Sequence, residues 1–276
     1  MPIRKLVRKA LPFANVVATG QATNQITIGK TLNTMQLKLG GTTLTKAMIT
    51  MFRLKANAKT IFEGSGAQID AINKYRGLTA DAAFLDIAFE DYTGLDQLDR
   101  FVGALDTSVG IASLTTEVDI AGATAPTLSA RLLESPPQRQ SDGSVSPFAG
   151  LIAKQLRYGF SVSAAGELPL NFPFGPKNGA IIKRVHVFHT GHVVGALVKE
   201  DGLIVHESLK AENEYEQLRN GRVPQANVYT LDFIPDGNVR NAFDTRKAQS
   251  VEWIFTTDAA DSGYVVIEYL DTLGNL

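Results

Sequence analysis

The chain has 276 residues, no cysteine, a formal net charge of −1, and 44% hydrophobic against 20% charged residues. That balance suits a globular chain with a real core, and it excludes disulfides and thiolate metal sites. It also gives no whole-surface field for nucleic acid, so no direct sequence-specific nucleic-acid binding is expected. No apolar run approaches the roughly 20 residues that cross a bilayer, and Met1 to Leu11 lacks a signal peptide's continuous apolar stretch. Folding in the cytoplasm is the expectation.

The first residues set Arg4, Lys5, Arg8 and Lys9 among Ile3, Leu6, Val7 and Leu11. On a helix those apolar residues fall near one side, and Pro2 suits a helix start. Residues 1–19 are therefore expected to form an inward-facing arm whose basic residues touch anionic lipid headgroups. The plain alternative is a disordered tail. Ile26 to Ile28 reads as strand; Gly29-Lys30-Thr31 then ends like a phosphate-binding loop, but Asn24 stands where the first glycine belongs.

Strand signals then follow in order: Met35–Leu39, Met48–Leu54, Thr60–Glu63, Phe84–Phe89 and Val118–Ile120 in the first half. The second half offers Leu168–Phe174, Ile181–Phe188, Leu203–Glu207, Val228–Ile234, Val251–Phe255 and Tyr264–Tyr269. Most are rich in β-branched and aromatic residues and flanked by Gly, Asp or Asn. Pro169 and Pro173 restrict theirs to an edge or an extended connection. Helical spacing is confined to Ala67–Tyr75, Leu95–Val102 and Lys210–Leu218. Between the halves, Glu134 to Pro147 is polar, holds three prolines and reads as linker.

The halves repeat one another. A strand, a short helix ending at glycine, and a second strand recur at offsets of 143 (Ile61 to Ile204), 144 (Gly77 to Gly221) and 146 (Leu85 to Leu231). Three landmarks in one order point to a duplicated unit. Eight-stranded Greek-key sandwiches hide their edges well. The expected fold is all-β: two tandem eight-stranded jelly rolls with short helical insertions. The divisions are an arm at 1–19, jelly roll 1 at 20–134, a linker at 135–145 and jelly roll 2 at 146–276.

Candidate chemistry is sparse. His186, His189 and His192, with His206, are all the histidines; on a strand 186 and 192 share a face while 189 points away, so interface or surface roles are expected over a cupin-type metal site. Glu90-Asp91, Glu200-Asp201 and Asp258 with Asp261 read as solvated loop ends, although structural calcium between subunits is compatible with them. No cofactor and no catalytic set is expected.

Ile28-Gly29-Lys30-Thr31 running into Met35–Leu39 is similar to the first strands of the corticovirus major capsid protein. Val109-Gly110-Ile111, Leu114–Ile120 and Pro126–Ala130 resemble the end of that protein's first jelly roll. Asn227–Phe233 and Val266–Tyr269 resemble strands of its second. The resemblance is to the double jelly-roll major capsid proteins of tailless, icosahedral bacteriophages with an internal membrane. It implies a non-enzymatic virion protein, assembled in the bacterial cytoplasm. Homotrimeric, pseudo-hexagonal capsomers would pack against neighbouring capsomers, minor capsid or penton proteins and membrane proteins, around a lipid membrane and a DNA genome. The second reading is a tandem β-sandwich that binds carbohydrate or a receptor, which would want exposed aromatics, whereas Trp253 lies in an apparent strand. A bicupin-type enzyme comes third.

Overall fold

In the computed structural model, residues 5–137 and 150–275 are described. The first half contributes β1 (Leu6–Lys9), β2 (Gly20–Gln25), β3 (Thr31–Gly41), β4 (Ile49–Ala56), β5 (Lys59–Gly64), α1 (Gly66–Tyr75), β6 (Phe84–Ala88), α2 (Gln97–Phe101), β7 (Leu105–Asp106), β8 (Leu114–Ile120) and β9 (Pro126–Ser135). The second contributes β10 (Ile152–Val162), β11 (Gly166–Leu170), α3 (Gly175–Asn178), β12 (Ile181–Phe188), β13 (Val193–Glu200), β14 (Leu203–Leu209), α4 (Lys210–Arg219), β15 (Val228–Asp232), β16 (Phe243–Asp244), β17 (Val251–Thr257) and β18 (Asp261–Asp271).

The pairing is duplicated strand for strand. One sheet of the first half runs β1-β9-β3-β6 with β7 beside β3; its counterpart runs β10-β18-β12-β15 with β16 beside β12. The facing sheets run β5-β4-β8-β2 and β14-β13-β17-β11. Each strand of the first half thus has its counterpart nine strands later. Among the described residues each sandwich has eight strands of four or more residues, plus a two-residue ninth (β7 or β16). The sandwiches join where β10 lies parallel to β5, with Gln155 opposite Phe62.

Local irregularities recur with the strands. The β3–β9 register slips between Leu32 and Thr34, and the β12–β18 register between Ile182 and Arg184. The β4–β5 ladder passes over Ile61, and the β13–β14 ladder over Val205. A third slip, between Ile49 and Met51, returns between Val193 and Gly195. Bulges are specific re-aimings of a strand, so three at matching places are stronger evidence of duplication than shared strand order.

Helices α1 and α4 match as closely. Asn73 donates its side-chain amide to the Asp86 carbonyl at 2.8 Å, and Gln217 donates to the Thr230 carbonyl at 2.7 Å. Both helices then stop at glycines with positive φ, Gly77 and Gly221. There the chain closes with Leu78 N–H to Asn73 O and Arg222 N–H to Gln217 O, a turn that a side chain at the glycine would strain.

The register corrects two of the sequence offsets. Leu85 corresponds to Tyr229 and Ile87 to Leu231, not Leu85 to Leu231; a two-residue slip keeps each side chain on its face, so the pattern fitted both registers. Ile61 corresponds to Val205, not Ile204, because both are the bulged residue. A third correction concerns the amino terminus. Leu6–Lys9 is not a helix but a strand paired antiparallel with Glu134–Arg131, so the first sandwich begins within the span assigned to an arm. Val7 and Lys9 are exposed while Leu6 and Arg8 are half-buried, a period of two that the helical reading overlooked. Ile26 to Ile28 lies between β2 and β3, outside either strand. Ser135, assigned to the linker, is the last residue of β9, and residues 138–149 of the linker region lie outside the described residues.

Each sandwich has its own core. The first gathers Leu32, Met35, Leu37, Phe52, Leu54 and Val118. The second is built around buried Trp253, with Phe172 and Phe243 edge-on at 5.4 and 5.7 Å. Pro169 sits in β11, at the edge of its sheet.

Candidate functional site

The densest polar constellation lies where the sandwiches meet. Alternation past its bulge turns Val185 and Val187 into the second core and leaves Arg184 and His186 on the outer face of β12. In most sheets that face would be wet. Here the end of α1 and the segment after β6 cover it, and Arg184 and His186 are fully buried.

Arg184 is the hub. Its Nε donates to Asp232 at 3.0 Å, its Nη1 to Asp91 at 2.9 Å and Glu268 at 3.3 Å, and its Nη2 to Thr93 Oγ1 at 2.9 Å. Lys183 reaches Asp91 at 3.1 Å, and Arg76, the residue after α1, reaches Glu268 at 2.6 Å. Tyr75 donates its hydroxyl to Asp232 at 2.9 Å, and Arg222 stands 3.7 Å from the same carboxylate. Asp91, Thr93, Tyr75 and Arg76 belong to the first sandwich; the others belong to the second. Charge-assisted bonds of this kind are about twice as strong as neutral ones. Removing one partner strands the opposite charges in a dry interior, at about 3–5 kcal/mol.

The electrostatics follow from burial opposed by neighbours. Burial alone would raise Asp91 and Glu268, but Arg184, Lys183 and Arg76 hold Asp91 well below the usual carboxylate range. Arg76, Arg184 and the hydrogen bond from His186 do the same for Glu268. Burial, helped by Asp232, pushes the Tyr75 phenol up, so it remains a donor. Burial lowers His186 against the pull of Glu268. A neutral ring must then donate Nε2–H to the Glu268 carboxylate at 2.8 Å and accept from Thr230 Oγ1 at 3.0 Å. Thr230, His186 and Glu268 follow one another as hydroxyl, imidazole and carboxylate, but all three are buried; the charges here are fixed, and the junction fastens two bodies together.

The residues singled out from sequence are dispersed. Arg8 is bound by both oxygens of Glu134, at 2.6 and 2.7 Å, and by the Thr27 carbonyl at 3.0 Å. Lys5 and Lys9 are exposed, and neither makes an ion pair among the described residues; Arg4 lies outside the described residues. His189 accepts from Gly191 N–H, His192 meets Asp258 at 2.8 Å, and His206 meets Ser208 at 2.7 Å. Among the described residues no three His, Cys, Asp or Glu side chains gather to hold a metal ion. The reading of the acidic pairs as solvated loop ends is corrected for Glu90, Asp91 and Asp261, which are buried. Asp261 accepts N–H bonds from Thr190, His192 and Ser262, and so pins the turn after β12. Gly29-Lys30-Thr31 is a turn into β3, with Gly29 N–H bound to Thr107. Trp253 is buried and offers no exposed binding platform.

The sequence did carry one overlooked signal for the junction: Lys183, Arg184 and His186 interrupt an otherwise apolar eight-residue strand, and Glu268 does so in Val265–Tyr269. Charges at buried positions demand buried partners.

Comparisons with known proteins agree with this architecture. The family described as "Viral coat protein P2 N-terminal domain" matches residues 7–132, and "Viral coat protein P2 C-terminal domain" matches residues 152–273. Among solved structures, the major capsid protein P2 of bacteriophage PM2 superposes with a TM-score of 0.84 at 18% identity, covering 98% of each chain. A structure of Sulfolobus turreted icosahedral virus gives 0.69 at 12% identity, over 98% of this chain and 91% of that one. The PBCV-1 virus capsid gives 0.61 at 12%, over 98% and 95%. No curated protein sequence matches the chain. With both sandwiches matched in order across nearly the whole length, the chain belongs to the viral coat protein P2 family and is a double jelly-roll major capsid protein, a structural component of the virion and not an enzyme.

Proposed function

We propose that the protein works as a homotrimer whose six sandwiches form a pseudo-hexagonal tile, and that such tiles, with minor capsid and membrane proteins, enclose a lipid membrane and a DNA genome. Assembly in the bacterial host cytoplasm belongs to the same reading. The observation that carries it is the strand-for-strand duplication, fastened internally by the Arg184 network. A unit that already contains two similar bodies in a fixed relation needs only three copies to present six similar corners, and closed rotational symmetry repeats one set of contacts.

Lipid contact falls, in this reading, to Lys5 and to the preceding residues that include Arg4, since Arg8 is committed to Glu134. Each basic residue near an anionic surface contributes about 1 kcal/mol, and many copies on a shell multiply it. Light scattering of the purified protein at micromolar concentration tests the trimer: a mass of about three times 29.8 kDa is expected, and a persistent monomer or dimer overturns the reading. Removing residues 2–5 should leave that mass unchanged and weaken binding to vesicles containing anionic lipid; unchanged vesicle binding overturns the lipid contact.

A further inference from the structure

The strands β5 and β14 hold the same place at the edge of their four-stranded sheets. The outer edge of β5 is covered by β10: Gln155 lies opposite Phe62 and donates to the Glu63 carbonyl at 3.1 Å, while Arg157 N–H donates to the Glu63 carboxylate at 3.1 Å. The outer edge of β14 is covered by nothing among the described residues, yet it is the more apolar of the two. Where β5 carries Lys59, Thr60 and Ile61, β14 carries Leu203, Ile204 and Val205, with Leu203 75% and Ile204 58% exposed. An uncovered edge strand is ordinarily protected by charge. A contiguous apolar patch in its place marks an interface.

The helix beside it repeats the contrast. On α1, Ala67 and Ala71 line one shallow cleft with Phe188 and Tyr264 of the second sandwich. Their counterparts on α4 are Ala211 and Tyr215, and Tyr215 is 68% exposed. The counterpart of β10 is β1, which is itself an uncovered edge. Register through β9 and β18 makes Val7 the counterpart of Gln155, and Lys9 that of Arg157.

We propose that the exposed edge of β14 and the adjoining face of α4 receive β1 of a second copy of this chain, as β5 and α1 receive β10 within one chain. The proposal rests on the trimeric reading above and names its contact surface. Carried across by register, the contact puts the second copy's Val7 opposite His206, beside the apolar edge residues of β14. It brings that copy's Lys9 to Glu207, the counterpart of Glu63. Tyr75 packs on His186 at 5.5 Å within the chain; the same step between copies sets Arg219, exposed at the end of α4, over Gln36 and Asp86 of the second copy. The Asp86 side chain is half-buried, and burial raises its carboxyl against the hydrogen bond from Gln36 and the charges of Lys46 and Arg131. An arriving guanidinium suits it. The contact is head-to-tail, and repeated with the three-fold rotation of the trimeric reading it closes into a ring.

The absence of cysteine makes the test clean. Paired strands lie about 4.8 Å apart, within reach of a disulfide. The double variant Val7→Cys with His206→Cys, oxidised at micromolar concentration, should give a covalent species of about three chain masses on a non-reducing gel, reversed by reductant. Either single variant should give no such species. In a second arm, Arg219→Glu should weaken the trimer at least tenfold by dilution, and adding Asp86→Lys should restore it. A double-cysteine protein that scatters as a trimer but does not cross-link overturns this surface while leaving the trimer standing. A monomer by scattering, in the unmodified protein, overturns the trimer itself.

Discussion

The outer faces of β3 and β12 occupy the same position in the two sandwiches, yet they live in different environments. On β3 the face shows Gln36 and Lys38, with Lys38 exposed and Gln36 half-buried; on β12 the counterparts His186 and Phe188 lie under the first sandwich, and the counterpart of Thr34 is the buried hub Arg184. Duplication supplied two similar frames, and the side chains on one face diverged according to what covers it. A covered face can hold charges only in satisfied networks. An open one can hold single polar residues at little cost.

The largest expected effect lies at the hub. Arg184→Ala should destabilise the chain by about 3–5 kcal/mol, because three carboxylates lose their shared cation in a dry interior, whereas Thr34→Ala at the matching place, where a buried hydroxyl bonds Tyr92 and Glu90, should cost about 1–3 kcal/mol. Urea melts of both variants measure the difference. Equal losses would mean that the junction adds nothing to the frame.

Acid should act on the covered face first. The folded state depresses His186 below its ordinary 6.5 through burial, so the unfolded chain takes up a proton first as pH falls. Stability is then lost from about pH 6.5 downward. Asp91 and Glu268 are also depressed, so their contribution is full above the ordinary carboxylate values of 3.8 and 4.5 and is lost as pH falls through their lower folded values. Melting temperature followed from pH 8 to pH 3 should hold down to about pH 6.5 and fall below it, with the step near pH 6 reduced in His186→Gln. A flat profile above pH 5 in the parent protein would contradict the buried, neutral histidine.

A smaller effect tests the part that did not diverge. Asn73→Ala strands the Asp86 carbonyl and should cost about 1–3 kcal/mol; Gln217→Ala leaves the Thr230 carbonyl its second donor, Asn213, and should cost less, about 1 kcal/mol. The prediction is that the double variant Asn213→Ala with Gln217→Ala matches the loss of Asn73→Ala, since only then does each half lose its side-chain tie from helix to strand. A full loss from Gln217→Ala alone would show that Asn213 does not hold the carbonyl.

Much of the frame was legible because apolar alternation and glycine stops are local signals. Ile181–Phe188 appears with those bounds as β12, and the helices after β5 and β14 stand where their spacing put them. Other strands were not legible, β1, β2, β10 and β13 among them. Leu6–Lys9 carries two charges in four residues, and it is held as a strand by pairing with β9 and by the Arg8–Glu134 bond, neither of which local sequence encodes. β13 contains Gly195, which packs close to Ser208 and Leu209 at a bulge; glycine in a strand reads as a break unless that close approach is known. The junction was missed for a related reason: Arg184, Asp91, Asp232 and Glu268 are far apart in sequence and meet only after both sandwiches have formed.

The most direct measurement of the central claim, that one duplicated frame is used as a six-cornered coat subunit, is an electron cryo-microscopy reconstruction of the purified protein or of particles built from it. The expected map shows three chains as six sandwiches around a three-fold axis, with the β14 edge of each chain covered by its neighbour as β5 is covered by β10. A map with a two-fold assembly, or with β14 facing solvent in every copy, would contradict it.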